Sequence, residues 1–147
     1  MPALPTIIHA TTVALGGRAV LLTGDAGSGK SATALQMIAL GCKLVADDRT
    51  QIMPEGGRLI ATCPTHITGL IEARGVGLLR APHQARAEVV VVAAMDEKAL
   101  ERLPQAHQMT LCGVEIPVLH NPDTRYFPAA LHTYLKMWRR TRSPLIH

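Results

Sequence analysis

The clearest chemical signal in the sequence is a glycine-rich segment, GDAGSGKS, at positions 24–31, called the phosphate loop below. It matches the pattern G-x-x-x-x-G-K-[ST] at every specified position and lies between a strand-like run and a helix-like run, as this pattern requires. Glycines allow successive backbone N–H groups to curl around phosphate oxygens, and a following helix adds its positive end. A glycine-rich turn alone would explain the glycines, but not a lysine and a serine at these spacings.

The same pattern predicts which side chains contact a nucleoside triphosphate. Lys30 would reach the β- and γ-phosphates, and the Ser31 hydroxyl would bind Mg²⁺. The predicted nucleotide-binding residues are Gly24, Asp25, Ala26, Gly27, Ser28, Gly29, Lys30 and Ser31.

An enzyme with this loop also needs a carboxylate near its magnesium ion, and two segments offer one. VVVVAAMDE ends in Asp96 and Glu97, and KLVADD ends in Asp47 and Asp48. For Asp96 we favour a solvated strand end or the N-cap of a helix over EKALERL. KLVADD follows the phosphate-loop helix after one tight turn, so we expect its strand to lie beside the phosphate-loop strand. Because neighbouring side chains of a strand point to opposite faces, Asp47 and Asp48 are expected to have different roles.

The elements that must position these residues begin with a hairpin and a helix. Strand-like runs at 6–14 and 18–23 are separated by Gly16–Gly17, which predicts a hairpin. Residues 30–40 predict a short helix rich in alanine and leucine, with Gly41 in the position that ends helices.

The middle of the chain predicts further strands. KLVAD reads as a buried strand, and TQIM and RLIATC flank PEGG as a second hairpin. The segment GLIEARGVGLL, at 69–79, is predicted to be loop-like because it contains three glycines. AEVVVVAAM, at 87–95, is the clearest buried strand, and VEIPVL, at 114–119, is a shorter one. The expected fold is α/β with a mixed, hairpin-containing sheet.

A C-terminal amphipathic helix is predicted over PAALHTYLKMWRR. Leu131, Tyr134, Leu135 and Trp138 follow the spacing i, i+3, i+4, i+7 and form one apolar stripe. One interpretation is that the stripe packs in the core while the arginines beyond it complement the helix dipole. The other is that the exposed face docks a protein substrate or a neighbouring subunit.

The composition indicates one globular domain over residues 1–147, with 48% apolar and 18% charged residues. No apolar run is long enough to cross a bilayer, and the start lacks the basic region of a signal peptide. The three cysteines are odd in number and far apart, which is typical of reduced thiols in the cytoplasm. A net charge of +4 suits anionic ligands, but 3% aromatic residues offer no stacking platform, so neither nucleic acid nor membrane is an expected partner.

Several segments together resemble the HPr kinase/phosphorylase family. GDAGSGKSATALQMIALGCKLVADD is similar to that family's phosphate loop, helix and following strand, and IEARGVGLL resembles its signature segment. The resemblance extends upstream through TIIHATTVALGGRAVLLTG and downstream through VEIPVLHNPDTR. The N-terminal domain of the longer members has no counterpart in this sequence, which is similar to the short form found in some proteobacteria.

The resemblance implies a phosphate-loop kinase fold of the HPr kinase/PEP carboxykinase type. It implies a serine protein kinase that uses ATP and Mg²⁺ to phosphorylate the phosphocarrier protein HPr, and many members reverse this reaction with inorganic phosphate. Longer members are hexamers, so a homo-oligomer is expected. Two other hypotheses remain open from the residues: a small-molecule kinase on a phosphate-loop fold, and a nucleotide-sensing module without turnover.

The resemblance also assigns catalytic roles. Asp48 matches the proton acceptor for the attacking serine, and Lys30 matches the lysine on the β-phosphate. His9 matches an active-site histidine that steadies the acid or binds phosphate, whereas a histidine in a strand is otherwise more often structural. Arg102 matches the catalytic arginine, with a surface arginine on a helix as the alternative.

The remaining matches concern metal binding and two loops. The implied metal ligands are Ser31, Glu72 and Asp47, with a structural role as the alternative for Asp47. The implied signature loop contains Glu72, Arg74, Gly75 and Gly77, and its acid and arginine would otherwise be a surface ion pair.

Arg125 resembles a residue of the loop associated with phosphorolysis. Asp123 and Thr124 stand where that loop carries proline and glycine, so the resemblance implies the reverse reaction less strongly than the forward one.

Overall fold

In a computed structural model that describes residues 5–64 and 67–146, strands outnumber helices. The strands are β1 (Thr6–Ile8), β2 (Ala10–Leu15), β3 (Arg18–Thr23), β4 (Lys43–Ala46), β5 (Thr50–Glu55), β6 (Arg58–Thr62), β7 (Leu70–Ala73), β8 (Gly77–Arg80), β9 (Arg86–Lys98), β10 (His107–Leu111) and β11 (Val114–Asn121). The helices are α1 (Lys30–Ala39) and α2 (Phe127–Met137). Within these described ranges, neither helix has the length and apolar character that crossing a membrane requires.

Nine of the described strands form one mixed sheet. Seven follow the order β1-β5-β6-β9-β3-β2-β4, and in addition β11 pairs with β9 and β10 pairs with β11. β9 is parallel to β3 and to β11, whereas β2 is antiparallel to both β3 and β4. The hairpins β2–β3 and β5–β6 lie where the sequence predicts them. The α/β prediction with a mixed, hairpin-containing sheet is confirmed.

β9 is the central strand of the sheet. Its residues Val89–Ala93 are almost fully buried because the strand has neighbours on both edges and packed side chains on both faces. A continuous run of valines suits this position, since β-branched side chains pack well in a buried strand. The strand extends beyond the predicted 87–95 at both ends.

The sheet separates two apolar clusters, and alternate residues of β3 contribute to each. Val20 and Leu22 belong to the cluster that contains residues of both helices, so α1 and α2 cover this face. Leu21 belongs to the other cluster, with side chains from β4, β5, β6 and β11. Strands from distant positions in the sheet meet over this second cluster, which shows that the sheet is curled.

The C-terminal helix forms as predicted, and its stripe packs in the core. Leu131, Tyr134 and Leu135 are buried, and Trp138 lies half-buried just beyond the end of α2. Cys42, before β4, joins the same cluster, and burial raises the pKa of its thiol to about 11. The three cysteines are all free, as predicted, and Cys42 is protonated at neutral pH.

The prediction of a loop over residues 69–79 is wrong. β7 and β8 form a separate two-stranded hairpin, in which Glu72 pairs with Leu78. Gly75 and Gly77 have φ of 82° and 135°, so the glycines supply the turn of a hairpin rather than an irregular loop. The sequence did not indicate β8, because the whole strand is exposed and its residues do not alternate between buried and exposed positions.

The predicted neighbour of the KLVAD strand is also wrong. β4 pairs with β2 and not with the phosphate-loop strand β3. The partners of β3 are β2 on one edge and β9 on the other, so the free edge of β2 is where β4 can pair.

Smaller features of the chain also differ in part from expectation. Asp96 and Glu97 are exposed within the last three residues of β9, which confirms the solvated strand end, whereas residues 99–106 are irregular, so the alternative N-cap of a helix over EKALERL is wrong. The run 6–14 is interrupted at His9 and forms two strands that pair with different partners. β10 was not predicted, because its sequence, HQMTL, is mostly polar and exposed.

The packing of α2 on the sheet predicts a large loss of stability for Leu131→Ala. Leu131 is fully buried, so the substitution leaves a cavity and should lower the free energy of unfolding by about 2–5 kcal/mol in urea titrations. Leu100→Ala is the matched control, because Leu100 is 91% exposed and its replacement should change stability by less than about 0.5 kcal/mol. Similar losses in the two variants would contradict this packing.

Candidate functional site

The phosphate loop connects the end of β3 to the start of α1, as its pattern predicts. Gly24, Gly27 and Gly29 have φ of 130°, 86° and 98°, which side-chain-bearing residues rarely adopt. At Gly24 a Cβ would lie 2.8 Å from Oγ of Ser28 and 3.2 Å from the backbone nitrogen of Asp96. The loop is therefore tightly folded against β9 and requires glycine at this position.

Lys30 folds back over the loop. Its side chain is 6% exposed, and its ammonium donates to the carbonyl oxygens of Gly24, at 2.6 Å, and Asp25, at 3.3 Å. Oγ of Ser28 is buried and has no hydrogen-bond partner among the described residues. An ammonium, a spare hydroxyl and a loop of glycines are donor groups that fit phosphate oxygens.

Asp47 joins the phosphate loop to the rest of the site. Its Oδ1 accepts hydrogen bonds from Oγ of Ser31, at 2.8 Å, and from Oγ1 of Thr11, at 2.9 Å. Its Oδ2 accepts from the backbone N–H of Glu72, at 3.1 Å. One carboxylate thus connects α1, β2 and β7.

The side chain of Asp48 has different hydrogen-bond partners from that of Asp47, for a reason other than strand alternation. β4 ends at Ala46, and Asp48 has φ of 66°, in the left-handed region that aspartate tolerates better than most residues. Its backbone N–H donates to Oγ1 of Thr11 at 3.1 Å, and its Oδ1 lies 2.5 Å from Nε2 of His9. The two acids therefore differ in environment, as expected, but because of the backbone turn after β4.

The Asp48–His9 pair is open to solvent. The side chains are 62% exposed for Asp48 and 55% exposed for His9. Oδ2 of Asp48 has no hydrogen-bond partner within residues 5–64 and 67–146. The arrangement can orient a carboxylate through one oxygen and offer the other to an incoming hydroxyl.

The side-chain oxygen atoms of Ser31 and Asp47 also fit a magnesium ion that is shared with a nucleotide. Oγ of Ser31 and the carboxylate of Asp47 are hard donors in mutual contact, and Mg²⁺ commonly takes one or two protein oxygens with phosphates and waters. The described residues contain no group of three or more His, Cys, Asp or Glu side chains arranged to hold a metal by themselves. Glu72 approaches this centre through its backbone N–H, and its residue is exposed.

A cleft of about 390 Å³ lies beside the phosphate loop and is lined in part by its residues Asp25–Ser28. Asp96 lines it, so this acid lies close to the loop although we favoured a solvated end or an N-cap. Lys98 and Asp123 line it as well and form an ion pair at 3.0 Å. The buried Asn121 donates to the carbonyl of Met95 and accepts from the N–H of Asp123, which fixes this loop beside the strand end.

Sequence reasoning missed Thr11 and Asn121. Both are buried polar residues within strands, at 0% and 7% exposure, and their hydrogen bonds cross between strand ends. A polar residue within an apolar strand was the available signal, but threonine and asparagine are common enough there that the sequence did not distinguish them.

Three arginines were predicted for the site, but within the described residues none of them forms a hydrogen bond or an ion pair with Asp47, Asp48 or Glu72. Arg74 is the first residue of the β7–β8 turn, and it forms no ion pair with Glu72. Arg102 is exposed in the irregular segment after β9, so it is not a helix arginine. Arg125 is exposed in the turn before α2, two residues beyond Asp123 of the cleft.

The position of Thr11 predicts a stability loss for Thr11→Val, which keeps the shape and removes the hydroxyl. The hydroxyl donates to Asp47 and accepts from the backbone of Asp48, so its loss should lower the free energy of unfolding by about 1–3 kcal/mol. Thr133→Val is the control, because that hydroxyl lies on an exposed face of α2 and donates only to the carbonyl of Ala129. Urea titration measures both, and equal effects would argue against the role of Thr11.

Comparison with known proteins identifies the family of this chain. Residues 3–124 match the family described as the HPr Serine kinase C-terminal domain. An HPr kinase/phosphorylase of Geobacillus thermodenitrificans is 35% identical over 130 residues, covering 80% of this chain and 42% of that protein. One from Clostridium tetani is 42% identical over 77 residues, covering 52% of this chain and 25% of that protein.

A solved structure also matches. The Hpr(Ser) kinase/phosphatase from Coxiella burnetii superposes with a TM-score of 0.75 at 25% identity, covering 89% of this chain and 88% of that one. The chain spans well under two thirds of the length of the curated relatives. With a family match over most of its residues, the chain belongs to the HPr serine kinase C-terminal domain family.

Proposed function

We propose that this chain is an ATP-dependent serine protein kinase that phosphorylates the phosphocarrier protein HPr. The observation that carries the proposal is Asp48, an exposed carboxylate held by His9 and adjacent to Asp47, which contacts the phosphate loop through Ser31. Transfer of a phosphoryl group to a serine requires a phosphate-binding loop and an accessible proton acceptor at the same place. The names of the relatives, HPr kinase/phosphorylase, support the same reaction.

In the proposed reaction, Asp48 accepts the proton of the substrate serine hydroxyl through Oδ2. The serine oxygen forms a bond to the γ-phosphorus as the bond from that phosphorus to the bridging oxygen breaks, and ADP is released. His9 orients the carboxylate through Oδ1, at 2.5 Å. The ammonium of Lys30 would leave the loop carbonyls to contact the phosphates, which offsets negative charge that develops in the transition state.

Ser31 and Asp47 are the residues that would hold Mg²⁺. Bound to the nucleotide, the ion neutralises charge on the phosphate oxygens. Thr11 keeps Asp47 in place by donating to the same oxygen as Ser31. Glu72 is proposed as a further metal ligand because its backbone lies against Asp47.

The open environment of the acceptor favours a protein serine over a small molecule. Small-molecule sites usually bury most of the ligand surface, whereas the side chains of Asp48 and His9 are more than half exposed. A serine on a protein surface can reach such a pair without a lid.

The proposal includes the reverse reaction and a homo-oligomer. The relatives' names contain phosphorylase and phosphatase, and reversal would use the same residues, with Asp48 returning the proton.

For the homo-oligomer, Val76 and Leu78 lie exposed at the tip of the β7–β8 hairpin and offer an apolar contact between copies. Light scattering on the purified protein tests this assembly, and a monomeric mass at working concentration would remove it.

The transfer of label from radiolabelled ATP to purified HPr tests the main proposal. We expect label on HPr, dependent on Mg²⁺, and none on an HPr variant in which the acceptor serine is replaced by alanine. Chromatography of the small molecules in the same reaction detects transfer elsewhere. Label on a small acceptor and not on HPr would overturn the proposal in favour of a small-molecule kinase.

Asp48→Asn separates transfer from nucleotide binding. Asparagine tolerates the same backbone conformation but cannot accept the proton, so the rate of transfer should fall about 10²–10⁴-fold while ATP affinity stays nearly unchanged. Binding is measured by titration calorimetry and transfer by the labelling assay. Glu101→Gln, at an exposed position after β9, removes an acid elsewhere and should leave both unchanged. Full transfer by Asp48→Asn would refute its role as base.

A further inference from the structure

A second and larger cleft, of about 700 Å³, carries four arginines that the proposed reaction does not use. It is lined by the start of β3, the β5–β6 turn, the start of β9 and the residues after α2. We call it the arginine cleft, for Arg18, Arg58, Arg86 and Arg140. These residues are far apart in sequence, so the fold itself gathers the four guanidinium groups.

The arginine cleft is separate from the phosphate loop. Arg18 begins β3 and the loop follows its other end, so the two lie about 17 Å apart along the strand. Arg86 begins β9, whereas Asp96 lies near the other end of that strand, beside the phosphate loop. A ligand of the arginine cleft would therefore lie at the ends of β3 and β9 opposite to those beside the phosphate loop.

Only part of the positive charge in this cleft is paired. Arg86 contacts Glu55 at 2.8 Å, and Arg140 contacts Glu88 at 2.5 Å. Arg18 donates to the backbone carbonyl of Trp138 at 3.1 Å and has no carboxylate partner in the described residues.

Arg58 is the least constrained of the four. Within residues 5–64 and 67–146, its guanidinium has no hydrogen-bond or ion-pair partner. The lining thus contains four guanidinium groups and two carboxylates, which leaves an excess of two positive charges.

The carboxylates that pair with Arg86 and Arg140 hold these arginines in position and still leave donor groups free for a ligand. Glu88 is 17% exposed at its side chain and fixes Arg140, whose guanidinium also lies 5.1 Å from the centre of the Trp138 ring. A guanidinium has five donors, so one carboxylate leaves donors free for a second anion.

We propose that the arginine cleft binds a small molecule carrying at least two phosphate groups. Guanidinium groups bind phosphate in a bidentate manner, and four of them around one cleft can hold more than one phosphate group. The cleft volume is within the range of small-molecule sites. The four guanidinium groups are gathered in one cleft rather than spread along a face, which favours a compact ligand over a nucleic acid backbone.

The single tryptophan of the chain, Trp138, lies in this cleft and reports its occupancy. Pyrophosphate is the probe, titrated at constant ionic strength while tryptophan fluorescence is followed. The titration uses Lys30→Met, which weakens the phosphate loop as a competing site. We expect a saturable fluorescence change in this variant with the same midpoint as in the unaltered protein.

Arg58→Gln, added to Lys30→Met, should raise the midpoint roughly tenfold, because it removes a charged donor. Arg80→Gln in the same background is the matched control, since Arg80 is exposed on β8 and outside the cleft, and its midpoint should not change. The proposal does not depend on kinase activity, so it can fail or succeed separately from it.

Four results would overturn the proposal. The first is a response that disappears in Lys30→Met, which would place pyrophosphate at the phosphate loop alone. The second is an equal shift in Arg58→Gln and Arg80→Gln, which would indicate general charge. The third is the absence of saturation. The fourth is an oligonucleotide that competes better than pyrophosphate at equal phosphate concentration, which would assign the surface to nucleic acid.

Discussion

The carboxylate of Asp47 joins three parts of the molecule that are distant in sequence. It accepts hydrogen bonds from Ser31 at the start of α1, from Thr11 on β2 and from the backbone of Glu72 on β7. A partly buried carboxylate is stable when its oxygens are occupied in this way, since its charge is otherwise poorly solvated. The phosphate loop, the sheet edge and the β7–β8 hairpin are thus positioned relative to one side chain, and the neighbouring Asp48 takes its place from the same framework.

The sheet topology explains how Asp47 reaches the phosphate loop although β4 is not beside β3. Both strands are antiparallel to β2, which lies between them, so they run in the same direction and end at the same edge. Two strand spacings, about 10 Å, separate their ends. Ser31, in the first turn of α1, donates to Asp47 across this gap, and Thr11 on the intervening strand donates to the same carboxylate oxygen. A direct β3–β4 pairing is therefore not needed to assemble the site.

The sequence could predict the phosphate loop, both helices and most strands, because these depend on local patterns of glycine, apolar spacing and β-branched residues. It could not predict that β2 separates β3 from β4, since strand order depends on which edges are already paired. It missed the hairpin around Glu72 because its second strand is exposed and contains no alternation. The different environments of Asp47 and Asp48 were predicted from strand alternation, which is the wrong reason. The difference depends on the left-handed backbone of Asp48, which two adjacent acids in a sequence do not reveal.

The net charge of +4 conceals two opposite electrostatic environments at the two edges of the sheet. The acids around the phosphate loop are Asp25, Asp47, Asp48, Asp96 and Asp123. The lysines there are Lys30 and Lys98, and the latter is already paired with Asp123. A triphosphate would add negative charge to an acidic edge, so under the proposed function its binding requires an accompanying divalent cation. The arginine cleft carries guanidinium groups without carboxylate partners, so under the second proposal it would bind an anion without a metal ion. Under the two proposals, the sites are therefore distinguished by charge as well as by position, and each would favour a different form of phosphate.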